Sequence, residues 1–168
     1  MKTLGVNGMK VHKIFHLLFA VMWIGGVMAL VSLMLGTNPS SAEMAYMAAI
    51  DHKVIDDFFL IPGGVGIVIT AISYGIFTKW GFFKHRWIVV KWVLTILLVI
   101  IGAGYMGRVI GENLLYMQEA LQTGSDWQQY FVNVRNVAIS GIIQLVGFAA
   151  VLIISVVKPW KKNKHAKQ

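Results

Sequence analysis

Four stretches of this 168-residue chain, 14–35, 58–78, 87–107 and 136–157, are long and apolar enough to cross a bilayer, which takes about 20 mostly apolar residues. Lipid offers the backbone no hydrogen-bond partners, so segments of this length must be helices that satisfy their own peptide groups. The expected fold is therefore all-α: a single domain over residues 1–168, an antiparallel four-helix transmembrane bundle, with a basic tail over 158–168. Composition agrees, with 57% hydrophobic and only 13% charged residues, where a soluble domain carries about 25% charged. Lys10 and Lys13 precede the first stretch as they would in a signal peptide. That run exceeds an h-region of about 7–15 residues and no clear small-x-small cleavage site follows it, so a retained helix is expected.

Charge orients the bundle. The chain is strongly basic, with 15 Lys+Arg against 7 Asp+Glu and a net charge of +8. Lys2, Lys10 and Lys13, then Lys79, Lys84 and Arg86, then Lys158, Lys161, Lys162, Lys164 and Lys167 all fall at one end. Every acidic residue (Glu43, Asp51, Asp56, Asp57, Glu112, Glu119 and Asp126) falls at the other. The positive-inside rule then places both termini in the cytoplasm, with Trp80, Trp87 and Trp160 as the inner aromatic belt. The basic excess is what topology requires, and no nucleic-acid-binding module accompanies it. Cysteine is absent, which excludes disulfides, thiolate metal sites, Fe–S clusters and cysteine nucleophiles.

The outer connections read as helix rather than loop. Ser40-Ser41-Ala42-Glu43 offers a capping box, and Met44, Met47, Ile50 and Val54 continue at helical spacing into the second span. The third span runs on through Val109, Leu114, Met117 and Leu121 to a stop at Thr123-Gly124, and Ser125 to Gln128 can cap the fourth helix. Helices 2 to 4 should project about 20 Å beyond the outer membrane surface.

Tyrosines aside, His16 and Lys91 are the ionisable residues inside the spans. Each such group is costly in lipid unless paired or functional. Counting from the inner ends puts Lys91 and Tyr74 about 6 Å deep and His16 about half that. Lys91 either snorkels to the interface or serves a site with His16. His12 lies one turn below His16 and is assigned to the interface. A second layer gathers at the outer ends, where Asp56, Asp57, Arg108 and Arg135 all lie about 31–34 Å from the inner boundary. Asp56 and Asp57 can neutralise Arg108 and Arg135, and Glu112 can pair with Arg108 one turn away. This layer is either a structural ion-pair ring or an outward-facing site for an anionic ligand or protons.

Small residues cluster at Trp23-Ile24-Gly25-Gly26, at Pro62-Gly63-Gly64-Val65-Gly66 and at Gly102, Gly104 and Gly107. They permit close helix packing or leave room for a flat cofactor. Pro62 should kink helix 2, and Gln144 should hydrogen-bond to a neighbouring helix. No second span histidine is available for a dihaem cytochrome, and no metal-ligand or phosphate-loop spacing occurs.

The segment His16-Leu17-Leu18-Phe19-Ala20-Val21-Met22-Trp23-Ile24-Gly25-Gly26 resembles the first-helix signature of small bacterial four-helix membrane proteins. These are the HemJ-type protoporphyrinogen oxidases, the CopD-like copper-resistance proteins and a related uncharacterised family. Trp87 to Leu94, with its membrane lysine Lys91, is similar to the third-helix segment of the HemJ type, and Ile153 to Trp160 to its terminal helix. The Val31 to Gly36 segment departs from the HemJ pattern, while Ile61-Pro62-Gly63-Gly64 and Gly81-Phe82-Phe83-Lys84 look more like the uncharacterised family. The resemblance implies a bound haem b, with His16 and Lys91 as the key functional pair and His16 on the iron. Trp23, Gly25, Gly26 and Tyr74 would complete its pocket, and the electron partner would be quinone or a porphyrinogen. The implied role is oxidoreductase or haem handling. The alternative is a non-redox protein: a small-solute or metal-ion transport or resistance protein, or a membrane scaffold acting as a homo-oligomer.

Overall fold

The computed structural model describes residues 4–78, 81–83 and 85–159. Lys2, Lys79, Trp80, Lys84, Trp160 and the tail lysines 161, 162, 164 and 167 lie outside the described residues. The described residues fold all-helically, and among them four helices are long and apolar enough to span a membrane: α1 (Val6–Gly36), α2 (Ala42–Phe77), α3 (Arg86–Thr123) and α4 (Gln129–Val157). Their lipid-facing sides carry exposed Val21, Val65, Ile69, Val93, Ile96, Ile143 and Val146, as expected of surface that meets lipid tails.

The helix boundaries follow local chemistry. Ser41, rather than Ser40, caps α2, its Oγ accepting the Met44 N–H at 3.3 Å. Gly124 ends α3 in the left-handed conformation (φ 68°), which its missing Cβ permits. Asp126 Oδ1 accepts the Gln128 N–H at 3.2 Å ahead of α4, and Tyr116 donates its hydroxyl to the Asp126 carbonyl at 2.6 Å, tying this turn to α3. Near Pro62, where a kink is expected, the helix changes its hydrogen-bond pattern. A π-helical turn occupies Asp56–Leu60, ending two residues before the proline, and closes with the Ile61 N–H on the Asp56 carbonyl. Proline lacks an N–H and its ring crowds the preceding turn, so the helix widens there. A second π-helical turn, Ile100–Met106 in α3, surrounds Gly102 and Gly104.

Two cores stack along the bundle. At membrane level Trp23, Val27 and Leu30 of α1 pack with Leu60, Met106, Val137 and Phe148. Glycine makes the α1–α2 contact: a Cβ at Gly63 would lie 2.7 Å from the Trp23 backbone nitrogen, and one at Gly26 2.7 Å from Leu60. Gly141 similarly receives Val31 between α4 and α1, and Gly147 receives Leu98 between α4 and α3. Gln144 is fully buried and donates from Nε2 to the Leu98 carbonyl at 2.8 Å, bridging α4 to α3. At the acidic end Ala45, Ala48 and Ala49 of α2 meet Met117 and Ala120 of α3 and Tyr130 of α4. Between these levels α2 and α3 part, the membrane half of α2 packing on α1 and that of α3 on α4.

Candidate functional site

At the basic end α1 packs on the membrane half of α2. His16 of α1 faces Thr70 of α2, with Nδ1 2.7 Å from Thr70 Oγ1. Thr70 lies in a membrane helix, where a hydroxyl turns back onto its own backbone. Its oxygen is 2.6 Å from the Gly66 carbonyl and 3.1 Å from that of Ile67, which together take its single hydrogen. The Thr70 oxygen is then an acceptor toward the imidazole, so His16 donates from Nδ1. In the neutral ring this makes Nε2 the lone-pair nitrogen.

Tyr74, one turn from Thr70, presents its ring edge-on to both histidines of α1, with centroids 4.3 Å from His12 and 5.7 Å from His16. Both ring nitrogens of His12 are buried without a hydrogen-bond partner among the described residues. Lys91 of α3 lies within electrostatic range of His16. Its Nζ stands 5.9 Å from the centroid of the Trp87 ring, and Lys158 Nζ stands at the same distance from that ring. The Lys91 stem thus runs toward the basic end, the direction snorkelling requires.

The remaining residues named with this site are placed otherwise. Trp23 is buried in the membrane core, edge-on to Phe148 at 4.9 Å. Gly26 is filled by the approach of Phe59 and Leu60, and Gly25 is exposed on the outer face of α1. Close packing therefore occupies the space at Gly26 that a flat cofactor would need, while Trp23 borders a cavity on its α2–α3 side.

At the acidic end the charges pair within helices. Lys53 bonds to Asp57 in α2, and Arg108 Nε to Glu112 in α3 at 2.7 Å, each across one turn. Arg135 is exposed on α4. Asp57 thus meets Lys53 in place of an arginine from another helix, a partner whose four-residue spacing is present in the sequence. Asp56 turns the other way and is buried, its carboxylate lying against Gly107 of α3.

His52 and the asparagines near it carry no sequence motif and appear only in the structure. His52 lies six residues before the 58–78 span, outside the membrane-spanning segment, yet is 3% exposed. It shares a small pocket with Asn113 and Asn133. Asn133 donates to Asn113 Oδ1 at 3.0 Å, and Gln129 donates to Asn133 Oδ1 at 3.0 Å. Burial lowers the His52 pKa to about 4, Asp51 opposing weakly. Among the described residues no group of three or more His, Cys, Asp or Glu is placed to hold a metal ion. Comparison with protein-family models, curated proteins and solved structures gives no significant match for this multi-pass membrane chain.

Proposed function

We propose that this protein binds haem b through His16 and serves a redox or haem-handling role. It would lie in the bacterial cytoplasmic membrane with both termini in the cytoplasm. The observation that carries the reading is the His16 Nδ1 to Thr70 hydrogen bond at 2.7 Å. Histidines that ligate metals characteristically donate their other ring N–H to a fixed acceptor, which sets the tautomer and aims the free nitrogen. Thr70 does this for His16 and is itself held by two carbonyls.

His16 would hold the haem iron, its imidazole being the kind of nitrogen donor that such iron accepts. Lys91 would supply either a second nitrogen or a cation for a propionate. Tyr74 holds the His16 ring by its edge contact. Trp23, Gly25 and Gly26 are left out of the proposal, because packing or outward exposure commits them elsewhere. The bound group supplies one-electron exchange, with quinone or a porphyrinogen as the electron partner.

Haemin titrated into the purified protein should produce a Soret band that is lost in His16→Ala. Thr70→Val, which removes the acceptor while keeping the shape, should weaken haem affinity about 10-fold or more. A missing Soret band, or a spectrum unchanged in His16→Ala, overturns the reading. Orientation is tested separately, since the chain has no native cysteine. A membrane-impermeant thiol reagent should label Ser125→Cys in intact cells, and Phe83→Cys only after permeabilisation.

A further inference from the structure

Where α2 and α3 part at membrane level they leave a cavity of about 310 Å³ that opens to the lipid-facing side and is lined by Leu60, Val65, Val68, Val99 and Ala103. Trp23 of α1 forms its floor. Gly64 of α2 and Gly102 of α3 face that indole, and a Cβ at either would come no closer than 3.6 Å to the ring. Gly64 keeps the α2 side of the ring free of a side chain, Gly102 makes room for Gln144 Nε2, which its Cβ would meet at 2.7 Å, and Phe148 packs on the indole from α4.

Asp56 also lines this cavity and is 3% exposed. Among the described residues its carboxylate makes no hydrogen bond or salt bridge; the neighbouring Lys53 ammonium is bonded to Asp57. An unpaired carboxylate is expensive to bury. Asp56 also begins the π-helical turn Asp56–Leu60, a widening that recurs at functional sites. One buried acidic group, an indole at the floor and otherwise apolar walls make a specific chemical combination.

We propose that this cavity binds a lipophilic monocation drawn from the bilayer, with Asp56 pairing its charge and the Trp23 face its apolar or cationic body. Charge complementarity selects this occupant. An acyl chain or other neutral molecule leaves Asp56 unpaired, and an anion is repelled. A divalent metal ion seeks several oxygen ligands, and Asp56 is the one carboxylate lining the cavity. A cation over an indole gains further attraction once water is excluded. The site uses neither His16 nor Lys91, so it stands or falls apart from haem binding.

Tetraphenylphosphonium titrated into the purified full-length protein should bind saturably and at least 10-fold more tightly than uncharged triphenylphosphine oxide. Asp56→Asn should remove that preference by weakening the cation at least 10-fold. Ala103→Phe, which fills the cavity without touching the carboxylate, should abolish binding of both probes. Equal affinity for the two probes, no saturable cation binding, or an unchanged affinity in folded Ala103→Phe overturns the proposal. If Asp56→Asn does not fold, the probe comparison and Ala103→Phe decide the question alone.

Discussion

The seam between α1 and α2 and the seam between α2 and α3 use the same residue for opposite ends. Gly63 lets the α2 backbone touch the α1 backbone at Trp23; its neighbour Gly64 faces the Trp23 ring and leaves space. Successive helix residues point about 100° apart, so adjacent glycines serve different seams. In lipid no hydrophobic force drives helices together, and close packing must supply the attraction. The α1–α2 seam has that packing throughout the membrane core. The α2–α3 seam gives it up at membrane level and recovers it at the acidic end, where Ala45, Ala48 and Ala49 meet Met117 and Ala120.

The largest effect should come from Gly63→Ala. Its Cβ would lie 2.7 Å from a backbone nitrogen that cannot swing aside, so the helices must separate at a cost of about 3 kcal/mol or more. Thermal unfolding in detergent should show this as a large drop in midpoint or as lost folded yield. Gly64→Ala places its Cβ at ordinary contact distance, 3.6 Å from the ring, and should be neutral to about 1 kcal/mol stabilising through helix propensity. Equal losses in both variants would break the distinction between the seams.

A middle-sized effect tests the closed part of the α2–α3 seam. The folded-state pKa of His52, about 4, lies below its ordinary 6.5, so its contribution is complete above pH 6.5 and is lost as pH falls toward 4. At pH 5 the cost should be about 2 kcal/mol relative to pH 7. Unfolding followed at both pH values should show that difference in the wild type and lose it in His52→Leu. A difference that persists in His52→Leu would move the pH sensitivity elsewhere. The smallest effect belongs to Arg108→Ala. Its pair with Glu112 is exposed on α3, and exposed pairs contribute little, so stability should not change measurably. A pronounced loss would instead favour the cross-helix charge ring.

The four spans and the helical extensions were legible because they rest on hydropathy and periodicity within one segment. So did the stop at Gly124 and the Arg108–Glu112 pair, which depend on neighbours along the chain. What lay beyond reach depended on which helices adjoin. Asp56 and Asp57 look equivalent in sequence, yet their side chains point to different sides of α2, one into the bundle and one to Lys53. Nor does a glycine disclose whether a neighbouring helix fills its vacancy: Gly26 is filled and Gly25 is not. The inner layer of His16, Tyr74 and Lys91 was suggested by depth alone, whereas the Thr70 bond that orients His16 required the azimuth of α2.

The stacking of two cores means that α2, α3 and α4 run without a break from one solvent into another. Beyond the membrane, water drives Tyr130 and the alanines together and its expulsion supplies the cohesion. Inside it, fit between surfaces must do so. Cohesion of the projecting end should weaken on cooling, as contacts made by expelling water do, while the glycine contacts have no such dependence. Temperature therefore acts as a dial on the balance between the two halves of each continuous helix.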